Sequence, residues 1–329
     1  MGWTGELLCL LGARFPDAAL EHRYREFRTR NYFLRDDGFQ AGLRAFAIGA
    51  LGMRGLVKSG PTPGTAVIFL MFVAPVLQLA MRSLADRRGR TEAALAAYMG
   101  QRCAWAALSR TLLCPLVVCT YFLEFFQQPP GPSATWFRLS SYVLYSTGAM
   151  VLFLSCVGYP VLLEHHLAIQ ALSVLMVAYW RAGPFCREAL AADGGPEHVL
   201  AAWRALEAAS RWVLAAMYMR EVPAAPEPDP MPACGHVVLA MYGCVGLAAT
   251  TYVLWLVEHK SRVHFLKETG WGNWMGWEPL GERAVVFQIV MGAACLAVAW
   301  QVLRALLLGR PPEGGGGWEG GGDVAWIVR

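Results

Sequence analysis

Apolar residues along this chain are gathered into long runs that polar stretches separate. Four of the runs carry no Asp, Glu, Lys or Arg, and one of these has a histidine, His236, at its edge. A helix needs roughly 20 such residues to cross about 30 Å of hydrocarbon. The pattern therefore predicts transmembrane helices at residues 64–81, 142–163, 235–257 and 284–303.

Three further runs are weaker candidates for transmembrane helices. Residues 39–57 and 103–126 each contain two charged residues near their ends, where long side chains can reach the membrane interface. Residues 167–180 are uncharged but short, so this span needs an extra turn from its flanks. The sequence as a whole predicts an all-α, polytopic membrane bundle of about seven transmembrane helices, within a range of six to eight.

Residues 199–219 are apolar but carry a stripe of three charges, Arg204, Glu207 and Arg211. Their spacing of three and four residues places them on one face of a helix, with Glu207 before Arg211 in the favoured order for an ion pair. Each charge near a bilayer centre costs about 2.5–3.5 kcal/mol, more than the few aliphatic residues return. This segment is predicted to be an amphipathic interfacial helix. The alternative is an eighth span whose stripe faces the bundle interior.

Residues 1–38 are predicted to be a basic amphipathic segment. A helix over 17–34 begins at Asp17, a good N-cap, and has its apolar residues on one face. One function is docking on anionic lipid headgroups, and the alternative is packing of this helix on the bundle. The arginines available for headgroups are Arg23, Arg25, Arg28 and Arg30.

The distribution of positive charge predicts which end of the chain faces the cytoplasm. With seven spans and a cytoplasmic N-terminus, cytoplasmic stretches hold 15 of the 28 lysines and arginines, and the opposite side holds nine. The positive-inside rule therefore favours a cytoplasmic N-terminus, although it orients only the first half clearly. The bundle is assigned to 39–308, with a proline-rich linker at 220–234 and a flexible glycine-rich tail at 309–329.

The composition excludes several classes of protein. Hydrophobic residues make up 56% and charged residues only 16% of the chain, which leaves too little polar surface for a soluble domain of this size. The net charge is +4, but no basic tract is interleaved with exposed aromatic residues, so nucleic-acid binding is not expected. The chain is predicted to be a multi-pass membrane protein.

The histidines and acidic residues at the ends of two spans are the one group typical of a metal or acid–base site. Imidazole and carboxylate ligands suit iron or zinc. However, the chain has no HxxxH spacing, and adjacent histidines on a helix point about 100° apart. The sequence therefore predicts helix-end histidines and no metal or cofactor. The residues in question are Glu164, His165, His166, His259 and His264.

Ionisable residues inside apolar stretches are the other candidates for function, because lipid cannot solvate them. They can form a pathway for an ion or solute, or they can pair with one another for structural reasons. The intramembrane polar candidates are Arg110, Glu124, Arg204, Glu207 and Arg211.

Six of the nine cysteines lie within the predicted spans, whereas Cys9, Cys186 and Cys234 lie outside them. Cys186 and Cys234 flank the 199–219 helix. A disulfide between them is expected if that region faces an oxidising compartment, and free thiols are the alternative.

Catalytic sequence templates are absent: there is no GxSxG, no Walker loop and no HExxH. The sequence favours a non-enzymatic membrane protein with a sensory, scaffolding or interaction function. A transporter or channel that uses the intramembrane charges is the first alternative. A histidine-dependent membrane enzyme is the second.

Overall fold

The computed structural model describes residues 14–87, 91–120, 136–270 and 281–308. Within these ranges the chain is helical and has no strand, which confirms the all-α class. The α-helices are α1 (Ala18–Arg28), α2 (Leu34–Ser59), α3 (Pro63–Arg87), α4 (Glu92–Leu108), α5 (Cys114–Cys119), α6 (Trp136–Ser146), α7 (Ala149–Gly158), α8 (Leu163–Ala191), α9 (Gly195–Tyr218), α10 (Pro230–Met241), α11 (Thr250–Glu268) and α12 (Glu282–Leu308).

Several of these helices are long and apolar enough to cross a membrane, so the protein is membrane-embedded. Four qualify individually, and α6 and α7 make a fifth if this pair, bent by 65°, is one broken span. The seven-span prediction is not confirmed. The two remaining predicted spans lie within α2 and α8. Charged and polar residues make the mean hydropathy of these two helices lower than that of the four helices that qualify as membrane spans. The four qualifying helices are Pro63–Arg87, Glu92–Cys119, Pro230–Glu268 and Glu282–Leu306.

Helix ends follow from local sequence signals. The Asp17 carboxylate accepts a hydrogen bond from the backbone N–H of Ala19 at 2.8 Å and begins α1, as the capping pattern predicts. At the break between α6 and α7, Gly148 has φ 84°, a left-handed conformation that side chains disfavour. At Gly195, the first residue of α9, a Cβ would lie 1.9 Å from the Ala189 carbonyl oxygen, so only glycine fits there.

Three π-helical segments, with hydrogen bonds over five residues in place of four, interrupt the α-helices. The one at Ser109–Leu113 joins α4 to α5, and the Cys114 N–H donates to the Ser109 carbonyl across it. Pro115 follows directly and has no N–H to continue the four-residue pattern. Such π turns occur frequently at functional sites. The other two are Thr29–Phe33 and Tyr242–Ala249.

The chain divides into two units, each built from segments distant in sequence. Unit 1 comprises Met1–Phe125, Val151–Met176 and Gly246–Pro279. In its described part, the apolar face of α1 is buried against α4 and α11. The hydrophobic core there contains Phe15, Leu20, Tyr24, Phe33, Leu34, Leu95, Tyr98, Leu162, Phe265 and Leu266.

Unit 2 comprises Phe126–Met150, Val177–Val245 and Leu280–Arg329. In its described part, α9 packs against α10 and α12 around Trp203 and Trp300. Unit 2 also contains a disulfide between Cys186 and Cys234, the two cysteines that flank α9, with their Cα atoms 5.7 Å apart.

The residues after α9 run back along that helix. The Arg211 guanidinium donates to the carbonyl oxygen of Val222 at 2.9 Å, and Arg204 lies 3.7 Å from the Glu227 carboxylate. Position 222 therefore lies beside residue 211, and position 227 beside residue 204. The proline-rich linker predicted at 220–234 is extended until α10 begins at Pro230.

Candidate functional site

Arg110 is fully buried in unit 1, with 0% of its surface exposed. It lies in the π-helical segment Ser109–Leu113, within the candidate span Glu92–Cys119. At 1.5 Å per residue it is about 27 Å along the helix from Glu92. This arginine is thus held inside a membrane helix at a point where the regular backbone pattern is interrupted.

The hydrogen-bond partners of Arg110 are neutral. Its Nη2 donates to Nδ1 of His166 at 2.8 Å and to the side-chain oxygen of Gln170. Because a guanidinium can only donate, Nδ1 of His166 must be the unprotonated ring nitrogen. The proton of this neutral imidazole is then on Nε2, which donates to the Thr251 hydroxyl at 3.1 Å.

A second layer of groups fixes these two acceptors. Gln170 donates through its amide nitrogen to the carbonyl oxygen of Gly246, in the π-helical segment Tyr242–Ala249. The Cys156 thiol lies 3.8 Å from Nδ1 of His166 and donates to the carbonyl oxygen of Thr250 at 3.8 Å. The second layer therefore contributes amide, thiol and hydroxyl groups and no carboxylate.

The positive charge of Arg110 is not neutralised by any carboxylate among the described residues. Its Nε and Nη1 are buried and make no hydrogen bond within that part of the chain. An uncompensated buried charge costs several kcal/mol, so a protein that retains one has a reason to do so. The arrangement supplies a positive charge and two nitrogens without a partner in the described ranges, Nε and Nη1, with three N–H donors between them that can bind an anion.

Two further arginines of unit 1 differ in whether a carboxylate compensates their charge. The Arg44 guanidinium lies 4.1 Å from the centroid of the Tyr159 ring and donates to the side-chain oxygen of Gln78 at 2.5 Å. Arg102 pairs with Asp37 at 2.6 Å. Arg102 therefore adds no net charge, whereas the partners of Arg44 are neutral.

A different kind of polar cluster joins the N-terminal helix to α11. The Arg262 guanidinium contacts the carboxylates of Glu21 and Glu258, each at 2.7 Å, and all three residues are 2% exposed or less. Glu258 also accepts from the backbone N–H of Leu163 at 2.8 Å and so caps α8. We call Glu21, Glu258 and Arg262 the N-terminal clamp, because their ion pairs tie α1 to α11.

Tyr24 lies beside this clamp. Its hydroxyl is 2.6 Å from the Ser261 hydroxyl and accepts from Arg28 at 3.0 Å. Burial raises the pKa of the Tyr24 hydroxyl from its usual 10 to about 12. The side chain is therefore a neutral phenol over the whole physiological range.

The histidines considered from sequence do not come together. His165 is half-exposed beside Glu164, whereas His166 is buried against Arg110. His259 stacks on Trp255 at 5.3 Å between ring centroids, and His264 lies 2.7 Å from the Tyr32 hydroxyl. Each therefore has its own partner. Glu164 accepts from Arg25 at 2.8 Å.

The three charges predicted to form a stripe on 199–219 have separate environments. Arg204 is exposed, whereas Glu207 is buried and accepts from Trp300 Nε1 at 2.7 Å. The ion-pair partner of Glu207 is Arg304, at 2.8 Å, in place of the expected Arg211. Arg211 bonds to the linker backbone. Glu124 lies outside the described residues.

The four basic residues proposed to contact lipid headgroups also differ from one another. Arg28 is only 2% exposed and points toward Ser261, and Arg25 binds Glu164. Arg23 and Arg30 remain exposed. Packing of α1 on the bundle therefore occupies two of the four.

Sequence analysis missed one further group of side chains. His22, Glu26 and Glu92 lie close enough together that one ligand atom from each is within 4.8 Å of the others. The only indication of this group in the sequence is the HxxxE spacing of His22 and Glu26, which places the two side chains on one face of α1. The third residue is 66 positions further along the chain, so no local pattern reveals it.

Comparisons with known proteins do not indicate a function for these residues. No known protein family matches the chain, and no curated protein or solved structure is significantly similar to it.

Proposed function

We propose that this protein binds a small anion inside its membrane bundle and passes it across the membrane. The observation that carries the proposal is Arg110, a fully buried arginine whose partners are the neutral His166 and Gln170 and whose Nε and Nη1 are unpaired in the described part of the chain. Ionisable residues in transmembrane segments mark substrate pathways. Of the functions weighed from sequence, a transporter or channel fits this site best.

Irregular helices support the same function. Transporters place their binding sites where helices are interrupted, because backbone groups freed from the helix pattern can serve the ligand. Arg110 lies in one π-helical segment, and Gln170 bonds to Gly246 in another. The break between α6 and α7 is a further interruption, with a bend of 65°.

We propose a topology of seven spans, in which α2 and α8 also cross the membrane. They contain 26 and 29 residues, which is about 39 and 43 Å of helix. Large apolar side chains on α2 are exposed along one stripe, as expected of a surface that faces lipid. The stripe consists of Phe39, Leu43, Phe46, Met53 and Val57.

In this topology α9 lies outside the hydrocarbon. The extended linker lies along α9, and its Val222 carbonyl oxygen accepts a hydrogen bond from Arg211. Extended chain is not tolerated against lipid, because its backbone N–H and C=O groups would be unsatisfied. We therefore assign 199–219 to the interface. The N-terminus is cytoplasmic, and the Cys186–Cys234 disulfide is on the opposite, oxidising side.

Anionic lipid remains a proposed partner of the cytoplasmic face. Of the four arginines proposed from the sequence, Arg23 and Arg30 are exposed and available to contact headgroups. Each basic residue near an anionic surface contributes about 1 kcal/mol.

Chloride and formate are suitable probes, since one is a simple halide and the other a single carboxylate. The full-length protein in proteoliposomes should release chloride when potassium and valinomycin balance the charge. In detergent, chloride and formate should raise the unfolding temperature relative to gluconate at equal ionic strength, because ligands that bind the folded state stabilise it. Arg110→Met should reduce efflux at least tenfold and abolish both temperature shifts.

The matched control is Arg54→Met, which removes an exposed arginine of the same unit. It should behave like the wild type. Arg110→Lys keeps the charge but loses the forked geometry, so weakened binding in this variant separates a site defect from misfolding. Wild-type efflux no faster than that of empty liposomes, together with no anion-dependent stabilisation, would overturn the proposal.

The second function is an anion sensor, in the sensory class favoured by the sequence. It is supported by the complete burial of Arg110, because an anion bound there would change the packing of the helices around it. Anion-dependent stabilisation that Arg110→Met removes, without efflux from proteoliposomes, would select the sensor. The histidines considered for a membrane enzyme have separate partners, so we propose no reaction there.

A further inference from the structure

A groove in unit 1 contains a group of side chains that the anion site does not use. It has a volume of about 310 Å³. Its walls include His22 and Glu26 from α1, and Glu92, the first residue of α4. His165 and Cys103, two more residues of metal-binding types, line the same groove.

The three acidic and imidazole groups already have the spacing of metal ligands. Nε2 of His22 is 3.2 Å from a carboxylate oxygen of Glu92, and one ligand atom from each of the three lies within 4.8 Å of the others. A zinc ion about 2.1 Å from each of its ligands holds tetrahedral donors about 3.4 Å apart. Small side-chain rotations are therefore enough to close the site.

The donor types select the kind of ion. One imidazole nitrogen and two carboxylates suit zinc and other first-row divalent ions, whereas calcium and magnesium prefer oxygen alone. His22 and Glu92 are 62% and 73% exposed, so an ion can reach them from water. The groove leaves room for a water molecule or a fourth ligand, as in sites with three protein ligands.

We propose that His22, Glu26 and Glu92 form a zinc-class divalent metal site that links α1 to the beginning of α4. The residues come from two helices that are distant in sequence, so the ion adds a crosslink at the N-terminal end of unit 1. This site is independent of the anion site at Arg110, and either can exist without the other.

The chain provides a matched control at His264. This histidine is also half-exposed, and its Nε2 lies 3.1 Å from the Glu268 carboxylate four residues later. It thus repeats the helical His–Glu pair, but in the described part of the chain no third acidic or cysteine ligand joins it. Zinc affinity caused by surface histidines in general would depend equally on His264.

The test is a Zn²⁺ titration of the purified full-length protein by calorimetry in a non-chelating buffer. We expect one ion per chain with a dissociation constant in the micromolar range or tighter, and no binding of Mg²⁺ at the same concentrations. His22→Ala and Glu92→Gln should each weaken Zn²⁺ binding at least tenfold, while His264→Ala should leave it unchanged.

The unfolding temperature distinguishes binding at this site from nonspecific binding of zinc to the protein surface. Zn²⁺ should raise the unfolding temperature of the wild type and of His264→Ala, but not that of His22→Ala or Glu92→Gln. The exposed positions of these side chains predict that all variants fold equally well without metal. Absence of binding in the wild type, or equal losses in His22→Ala and His264→Ala, would overturn the proposal.

Discussion

Arg262 and Arg110 are both arginines with 0% of their surface exposed, in the same unit, yet their surroundings are opposite. Arg262 contacts two carboxylates, those of Glu21 and Glu258. Among the described residues, Arg110 contacts neutral acceptors on His166 and Gln170. Each charge of the clamp therefore faces an opposite charge, whereas Arg110 has none in the part of the chain that the structure describes.

This difference allows the proposed functional role of Arg110 to be tested against a structural one. A buried pair is strongly destabilised when one partner is removed, because the other is left charged and unpaired. A buried charge without a partner gives the opposite expectation, since its removal relieves a desolvation cost. The same substitution at the two arginines should therefore affect stability very differently.

The largest effect is expected at the clamp. Arg262→Met leaves Glu258 buried without its cation and Glu21 with only the partly exposed Arg25, and should lower the free energy of unfolding by about 3–5 kcal/mol. Denaturant unfolding of the purified protein measures this. Arg30→Met, at an exposed position of the N-terminal segment, is the control and should change stability by less than about 0.5 kcal/mol. Similar values for the two variants would show that the clamp contributes nothing.

A smaller effect is expected in the layer around Arg110. Gln170→Leu removes the acceptor for Arg110 and the donor to the Gly246 carbonyl, which should cost about 1–3 kcal/mol. Ser173→Ala is the control on the same helix, because the Ser173 hydroxyl bonds only within its own turn, to the Ile169 carbonyl. Equal stabilities of these two variants would contradict the proposed network.

Alkaline pH provides a milder perturbation of the clamp region. The pKa of Tyr24 is raised from 10 to about 12 by burial, so the unfolded chain loses this proton at lower pH than the folded one. The contribution of Tyr24 to stability is therefore complete below pH 10 and is lost as pH rises toward 12. Unfolding temperatures measured across that range should fall less steeply for Tyr24→Phe than for the wild type. Parallel curves would show that Tyr24 titrates normally.

The smallest effect on stability is expected for removal of the Arg110 guanidinium, and it tests the comparison with Arg262 most directly. Arg110→Met, without added anion, should change the free energy of unfolding far less than Arg262→Met, because removing an unpaired buried charge offsets the loss of the hydrogen bonds to His166 and Gln170. Denaturant unfolding in gluconate buffer, beside Arg262→Met, measures it. A loss as large as that of Arg262→Met would mean that Arg110 is a structural residue.

The helices were predictable because their causes are local. Runs of apolar residues mark α3 and α12, and Asp17 marks the beginning of α1. The same logic identified Arg110 as unusual, since a charge within an apolar run stands out in any sequence. Its lack of a carboxylate among the described residues could not be predicted, because its partners come from another helix.

The contacts that could not be predicted from the sequence join residues far apart along the chain. Asp37 pairs with Arg102, 65 positions away, and Glu207 pairs with Arg304 at 97. At these separations helical periodicity gives no information. The i,i+4 order that favoured Arg211 as the partner of Glu207 describes an isolated helix, whereas tertiary packing brings Glu207 to α12.

The π-helical segment Ser109–Leu113 has a consequence for how this chain can evolve. A π turn holds one residue more than an α turn, so the helix contains a single-residue insertion that its backbone absorbs locally. Deleting one residue there would restore an ordinary helix without turning α5 by the 100° that a deletion elsewhere imposes. An ancestor with an uninterrupted helix could therefore have acquired the Arg110 site in one small step, while α5 kept its packing.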